Sequence, residues 1–213
     1  MDMLASAKTK KYPTSMETYV GTDKKVTVKT AAEIEAMLKE RLGDALTASE
    51  IREYKTGVCQ LPAPHLLVTV TREKFLDLVD ALGELDFPHF HVMSGNDDGE
   101  TIRQISHFSL FRREGRGKEV TVTVTVHIPK DDLVIPSLHS RIPGIDYSER
   151  EMFEMLGIDH DGQPNKELVF LPDGWDRTFA ELPREVKCTF SHRARAADRM
   201  RPLLRSLFPA VVS

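Results

Sequence analysis

Residues 146–157 read Asp146-Tyr147-Ser148-Glu149-Arg150-Glu151-Met152-Phe153-Glu154-Met155-Leu156-Gly157. Charged and large apolar side chains share this segment in equal number. Met152, Met155 and Leu156 follow the i, i+3, i+4 spacing of a helix with one apolar stripe. Gly157 has the residue type that most often ends a helix in a left-handed conformation. The segment therefore predicts a short helix that ends at Gly157.

The first turn of this helix has two candidate N-terminal caps. Ser148 with Glu151 has the spacing of a capping box, and Asp146 with Glu149 is a competing register of the same box. Both registers place acidic side chains in the first turn, where the helix dipole favours them. We expect one of the two boxes to begin the helix.

Two further motifs flank the helix. Upstream lies Ile142-Pro143-Gly144-Ile145-Asp146-Tyr147, and downstream lies Leu171-Pro172-Asp173-Gly174-Trp175. Together with Glu149-Arg150-Glu151 they resemble the signature of the 30 kDa-type subunit family of NADH–quinone oxidoreductase, respiratory complex I. The same family includes subunits of complex-I-like membrane-bound hydrogenases. The motifs that carry the resemblance cover roughly residues 137–176.

The resemblance implies a fold, a role and partners. The family's fold is an α/β sandwich with a C-terminal extension that wraps neighbouring subunits. Its members bind no cofactor and pack against a large catalytic subunit, which binds quinone in complex I and nickel–iron in the hydrogenases, near a small iron–sulfur subunit. The iron–sulfur clusters and nickel–iron thus belong to partners. The complex places the chain peripherally on the cytoplasmic side of the membrane, in indirect contact with the lipid.

Two segments depart from the family pattern. Where members have a Gly-His-Pro-Asp run, this chain has Gly162-Gln163-Pro164-Asn165. Where members have a His-Pro-Leu-Arg-Lys-like segment, this chain has residues 177–184, Arg-Thr-Phe-Ala-Glu-Leu-Pro-Arg. These departures favour a hydrogenase-type assembly over a standard NADH dehydrogenase.

Composition limits the class of protein. The chain has 213 residues, 40% hydrophobic and 29% charged, which is typical of a soluble domain with a core and extensions. A net charge of −4 gives no overall case for nucleic-acid binding. No apolar run approaches the roughly 20 residues that span a bilayer, and the polar start lacks the apolar region of a secretory signal. These features predict a cytoplasmic or peripheral protein.

The two cysteines, Cys59 and Cys188, lie far apart in the sequence. Without a Cys-x-x-Cys pair, the chain's own cysteines do not build an iron–sulfur cluster or a structural zinc site. We expect both to be free, partly buried thiols, and we expect the chain to carry no electrons itself.

The chain divides into three predicted parts. Residues 1–24 form an extended arm, 25–136 an α+β sandwich, and 137–213 the signature helix with a partner-wrapping extension. Within the sandwich, the expected helices cover about 30–43, opened by a Thr30–Glu33 capping box, and about 71–83, ended by Gly83.

Four strands are predicted for the sandwich, at about 65–70, 88–94, 102–112 and 119–128. The first is short and apolar, which suggests a central strand covered on both faces. In the last, Val120 to Val126 alternate with threonines, so one face packs on a core and the other is wetter. Two helices on that apolar face make a two-layer sandwich with a mostly antiparallel sheet.

The C-terminal part has little core pattern of its own. Residues 157–192 are loop-rich, and we expect them to gain burial along a partner. Residues 192–208 are helix-like and basic, with Pro202 interrupting the pattern.

The residues of the signature are interpreted as an interface. Glu149 and Glu151 point in different directions on a helix, so they do not converge on one substrate atom. Arg150 has a planar fork that holds a carboxylate or backbone carbonyls. We assign Glu149, Arg150 and Glu151 to the partner interface or to locking the fold. Pro172 and Trp175 complete the predicted interface, since tryptophan is enriched at interface hot spots, although a core position is the competing interpretation of Trp175.

Other polar clusters offer weaker alternatives. His89 and His91 lie two apart on a strand, and His107 and His127 could lie on neighbouring strands, as in some metal sites. No cysteine or carboxylate partner is placed beside them, so polar residues on the wetter sheet face are favoured. A basic hairpin tip is predicted from Arg112, Arg113, Arg116 and Lys118.

Two functions follow. The first is a non-catalytic peripheral-arm subunit of a complex-I-like membrane redox complex, with no active site in this chain. The alternative is a stand-alone α+β binding module for RNA or an acidic ligand, using the basic hairpin tip.

Overall fold

The fold is organised around a five-stranded sheet with strand order β1-β2-β5-β4-β3. The computed structural model describes residues 26–171, 178–183, 185–186, 199–200 and 202. The strands of the sheet are β1 Leu46–Thr56, β2 Leu61–Val70, β3 His89–Asp97, β4 Thr101–Leu110 and β5 Val120–Pro129. All neighbouring strands are antiparallel except β2 and β5, which are parallel.

Three α-helices belong to the described residues: α1 Ala31–Leu42, α2 Phe75–Leu85 and α3 Asp146–Leu156. Short 3₁₀ turns lie at Gly43–Ala45, Arg72–Lys74, Pro143–Ile145 and Phe179–Glu181. A second, two-stranded parallel sheet pairs β6, Val134–Pro136, with β7, Asp159–Asp161. This small sheet ties the segment after α3 to the segment before it.

One face of the large sheet forms the core. The alternate valines of β5, from Val120 to Val126, are at most 2% exposed, as the sequence predicts. Leu66 and Val68 of β2 lie in register with Val122 and Val124, and all four are buried. The helix α1 packs on β1 and β2 and contacts α2, and the apolar side chains of both helices join the same core.

The opposite face of the sheet is wetter. Thr121 and Thr125 are half-buried there, and His127 is exposed. No helix among the described residues covers this face. The mixed α+β architecture and the two-layer packing predicted from the sequence are confirmed, with α3 as a third helix on the core side.

Three local predictions are wrong. The sequence indicates no strand before residue 65, yet β1 runs from Leu46 to Thr56 as a mostly exposed edge strand. Its polar composition suits an edge, which must not offer an apolar template to other chains. The strand β2 lies next to this edge and buries only alternate residues, so it is not a central strand covered on both faces. The helix α2 continues through Gly83 to Leu85.

The remaining predictions from the sequence are partly confirmed, partly wrong and partly untested. The Thr30–Glu33 capping box is present at α1. Cys59 is exposed, not partly buried. No helix in the described part of the chain is long and apolar enough to cross a membrane. The arm 1–24, Cys188 and most of the basic segment 192–208 lie outside the described residues, and the three-part division of the chain stays a prediction.

Candidate functional site

The helix α3 begins and ends where the sequence places it. A 3₁₀ turn over Pro143–Ile145 leads into it, and Gly157 ends it with φ +80° and an N–H that donates to the Phe153 carbonyl at 2.9 Å. Neither predicted capping box forms, because Ile145 is the N-cap and gives no side-chain cap. The side chains of Asp146, Glu149 and Glu154 are used for other contacts.

A glycine of the sheet lets α3 approach closely. Gly95 in β3 is in register with Gln104 in β4, on the face that carries the core. A Cβ added to Gly95 would overlap Leu156 Cδ1 and would lie 3.2 Å from Met152 Sδ. The helix α3 therefore packs on the same face as α1 and α2, over the β3 edge.

Glu149 is buried inside the protein. Its residue is 1% exposed, and its carboxylate accepts hydrogen bonds from the Ser137 hydroxyl and the Leu138 N–H, each at 2.7 Å. The Gln163 side chain donates a third bond at 3.0 Å. One carboxylate thus joins α3 to the segments on both sides of it.

Burial shapes the acid–base properties of this region. Burial away from water raises the pKa of Glu149 to about 7. The hydrogen bonds from Ser137 and Leu138 lower this pKa, and the nearby charge of Asp146 raises it. Burial lowers the pKa of His160 to about 4. The imidazole of His160 meets the Gln104 side chain at 3.0 Å under α3. Glu149 and His160 both line a small space between α3 and residues 159–166.

Glu154 forms a second internal clamp. It is 2% exposed, and its carboxylate accepts the backbone N–H groups of Val169 at 2.6 Å and Phe170 at 2.8 Å, together with that of Leu171. Successive N–H groups aimed at one anion satisfy donors that irregular backbone leaves unpaired. This contact holds the end of the loop against α3.

Arg150 also binds within its own subunit. Its Nε donates to the Glu167 carbonyl at 2.8 Å, and its guanidinium lies 3.4 Å from Asp146. Glu151, by contrast, is half-buried and has no hydrogen-bond partner among the described residues. Of the predicted interface residues, Glu149 and Arg150 serve the protein's own fold here, while Pro172 and Trp175 lie outside the described residues. Their contacts with another subunit stay a prediction.

The loop after α3 gains burial from its own subunit. Ile158, His160, Gln163 and Leu171 are all under 9% exposed. Part of the burial of residues 157–171 therefore needs no partner, and the expected burial of the remaining residues of 157–192 along a partner stays a prediction. Buried carboxylates replace the apolar contacts that the sequence pattern lacks.

One side of α3 carries an exposed Tyr147 and two half-buried residues, Glu151 and Met155. Tyr147, Glu151 and Met155 follow i, i+4, i+8 spacing and so share one side of the helix. Tyr147 is 50% exposed, and its ring meets Phe170 edge-on at a centroid distance of 6.1 Å. We call Tyr147, Glu151 and Met155 the α3 ridge.

The four histidines are not gathered into one cluster. His89 and His91 stack edge-on with centroids 5.0 Å apart. His107 bonds the Thr123 hydroxyl at 2.8 Å, and that hydroxyl also meets His65 at 2.6 Å. His127 lies at another place, 4.0 Å from Asp98. In the described residues, no three His, Cys, Asp or Glu side chains are grouped to hold a metal ion.

Sequence reasoning missed the internal roles of Glu154, His160 and Gln104. One signal could have indicated the role of Glu154. It is an acidic residue beside the apolar stripe of a helix, and the segment that follows the helix has no regular spacing of apolar residues. No local signal pairs His160 with Gln104, because the two lie 56 residues apart.

The part of the chain that contains most of the sheet and α3 matches a known protein family. The family model for the respiratory-chain NADH dehydrogenase, 30 Kd subunit, matches residues 68–184. This range covers more than half of the sequence, from β2 through α3 and its loop. The chain belongs to this family, as the sequence motifs predict.

Relatives are subunits of complex-I-like assemblies. The chain is 37% identical over 122 residues to a membrane-bound hydrogenase subunit beta from Pyrococcus furiosus, covering 56% of this chain and 69% of that protein. It is 26% identical over 113 residues to an NAD(P)H-quinone oxidoreductase subunit J from Prochlorococcus marinus, covering 51% and 65%.

A solved structure shares the fold. One subunit of the membrane-bound sulfane sulfur reductase, an archaeal respiratory membrane complex, matches with a TM-score of 0.53 at 15% identity. The match covers 80% of this chain and 90% of that one. At this identity the likeness concerns the fold alone.

Proposed function

We propose that the chain is a non-catalytic structural subunit in the peripheral arm of a complex-I-like membrane redox complex. In this role it packs against the large catalytic subunit and positions that subunit near the small iron–sulfur subunit. Membership in the 30 Kd subunit family, matched over residues 68–184, carries the proposal.

The organisation of α3 supports a scaffolding role. Glu149, Glu154 and Arg150 are engaged in holding residues 137–138 and 167–171 in one shape. A surface that is rigid before association loses less conformational freedom on binding. The α3 ridge stands on this fixed base and offers an exposed tyrosine, a residue enriched at interfaces.

The proposal assigns the redox groups to the partners. Iron–sulfur clusters, and nickel–iron where the complex is a hydrogenase, belong to the small and large subunits. The chain itself sits peripherally at the cytoplasmic side of the membrane through those subunits.

Co-purification from the source membranes tests the proposal. The tagged chain should be recovered from detergent-solubilised membranes in equal amount with a large subunit and an iron–sulfur subunit, identified by mass spectrometry. Recovery of the tagged protein as a free monomer would overturn the proposal. Recovery with RNA in place of the subunits would support the stand-alone binding module.

A matched tyrosine pair tests the ridge itself. Tyr147 and Tyr54 are 50% and 49% exposed, but Tyr54 lies on the edge strand β1. We expect Tyr147→Ala to lower recovery of the large subunit about tenfold, as loss of an interface hot spot does. Tyr54→Ala should leave recovery unchanged. Equal melting temperatures of the two isolated variants would show that folding is not the cause, and equal recovery would remove the ridge from the interface.

A further inference from the structure

The turn region of the β4–β5 hairpin carries a concentrated basic surface. We call it the basic corner, and it consists of His89, His91, Arg112, Arg113, Arg116 and Lys118. The four cationic side chains are exposed in the turn region that joins β4 to β5. The two histidines stand beside them on β3, next to the end of β4.

Two arginines of the corner, Arg112 and Arg116, differ from those elsewhere in the described residues, whereas Arg113 interacts within the chain. Between residues 26 and 171, every arginine outside the hairpin lies within 4 Å of a carboxylate of this chain: Arg41, Arg52, Arg72, Arg103, Arg141 and Arg150. Arg112, Arg116 and Lys118 make no ion pair with any described residue. In a protein with net charge −4, this surplus of positive charge is local.

The hairpin is held in place at its base. Phe111, the residue before Arg112, adopts φ +60° although it is a bulky side chain. Its ring is fully buried, and its N–H donates to the Asp86 carboxylate at 2.6 Å. A left-handed phenylalanine is costly and persists only where its surroundings enforce it. Backbone bonds from Glu114 to Phe111 and from Lys118 to Gly115 close two successive turns.

The pKa of His89 is affected by the positive charge of the hairpin. Burial lowers the pKa of His89, and nearby His91 and Arg112 lower it further. Glu119 acts in the opposite direction, and Arg113 adds to the lowering. The positive charge of the corner comes from the hairpin itself, where residues 112–119 contain four cationic side chains and two acidic ones, Glu114 and Glu119.

We propose that the basic corner is a docking surface for an acidic segment of a partner protein, rich in Asp and Glu. Guanidinium forks bind carboxylates in a bidentate manner, which suits Arg112 and Arg116. Residues 112–119 contain no aromatic side chain on which bases could stack, and the two imidazoles of the corner, His89 and His91, lie against each other. Glu114 and Glu119 interrupt the corner, which disfavours a continuous phosphate backbone and favours separate carboxylates.

A peptide-binding measurement on the purified protein tests the chemistry. The probe is a fluorescent deca-glutamate peptide, compared with decauridylate RNA and with vesicles of phosphatidylglycerol. Arg112→Glu with Arg116→Glu should weaken deca-glutamate binding about tenfold or more, in a salt-dependent way. The control variant Lys39→Glu with Lys74→Glu makes the same change in net charge at exposed residues of the helical layer and should bind as the unaltered protein does.

Two outcomes of this measurement overturn the proposal. One is tighter binding of the RNA or the vesicles than of deca-glutamate. The other is equal loss of deca-glutamate binding in both charge-reversal variants.

Carbodiimide cross-linking tests the surface in the assembled complex. Carbodiimide activates carboxylates, which then join to lysine amines in direct contact. Lys118 should be found joined to an Asp or Glu of another subunit, and the corner variant should lose neighbouring cross-links. If Lys118 forms no such link and stays fully reactive to an acetylating reagent in the complex, the corner is free surface and the proposal is wrong.

Discussion

At the scale of single residues, buried carboxylates hold segments of the chain that have few apolar residues of their own. Burial of an acid is costly unless donors meet it, and Glu149 receives three hydrogen bonds from side chain and backbone. Glu154 receives backbone N–H groups from three successive residues. Such contacts are specific to one arrangement, whereas apolar contacts tolerate many.

The raised pKa of Glu149 predicts a pH-dependent stability. Because its pKa in the fold is about 7, above the ordinary 4.5, Glu149 contributes stability that is fully present below pH 4.5. That contribution is lost as the pH rises through 7, and it amounts to at most about 3 kcal/mol. Glu149→Gln should remove this slope from the free energy of unfolding, measured with urea between pH 4.5 and 8.

A comparison of variants separates the effect of Glu149 on the pH dependence of stability from the effect of His160. The lowered pKa of His160 works in the opposite sense, since its stabilisation is present above pH 6.5 and is lost as the pH falls toward 4. Glu40→Gln, at an exposed residue of α1, is the control and should keep the profile of the unaltered protein. A Glu149→Gln profile parallel to that of the unaltered protein would contradict the assignment.

The close approach at Gly95 predicts a coupled pair of substitutions. Gly95→Ala should lower the free energy of unfolding by about 1–3 kcal/mol, because the new methyl group overlaps Leu156. In a Leu156→Ala background the same change should cost less, and thermal melts of the four proteins measure the difference. Gly144→Ala meets no atom within 4 Å and should change stability by no more than about 0.5 kcal/mol. If the losses in free energy of unfolding at positions 95 and 156 are additive, the methyl group at position 95 does not press on Leu156 and α3 shifts to accommodate it.

At the scale of elements, the helix α3 organises the segments around it. Its ends follow local rules, with a 3₁₀ turn before it and a left-handed glycine after it. Glu149 does not form the predicted box with Asp146, since the Ser137 hydroxyl and the Leu138 N–H compete for its carboxylate.

Loss of the Glu154 charge should loosen one loop. In Glu154→Gln, the amide oxygen cannot satisfy the three N–H groups of Val169, Phe170 and Leu171, and leaving one buried donor unpaired costs about 1–3 kcal/mol. We expect faster amide hydrogen exchange at residues 169–171, measured by mass spectrometry, with β5 unchanged. Glu151→Gln is the control on the same helix and should leave exchange at 169–171 as it is. Unchanged exchange in Glu154→Gln would show that other contacts hold the loop.

At the scale of the whole molecule, the sandwich and the α3 region share one core. Met152, Ile158 and Ile145 belong to the same buried cluster as Leu66 and the valines of β5. A residue far from α3 should therefore affect its stability, since elements with one core unfold together.

Leu66→Ala tests this shared core. Leu66 is fully buried in β2, and its truncation should cost about 2–5 kcal/mol. Pulse-labelling hydrogen exchange in urea should show the amides of β5 and of residues 169–171 losing protection at the same, lowered midpoint. If the midpoint at 169–171 stays where it is in the unaltered protein, the α3 region is a separate folding unit.

The sequence alone determined the features that depend on near neighbours. The alternation of β5, the capping box of α1 and the end of α3 at Gly157 follow from spacing of two to four residues, and the family follows from short motifs around α3. Only the tertiary structure decided where Glu149 and Glu154 bind, that Gly95 admits α3, and that polar β1 completes the sheet. These contacts join residues that are distant in the sequence. The residues next to a carboxylate in the sequence do not show whether it caps a helix or is buried. The choice depends on which donors the folded protein brings to it.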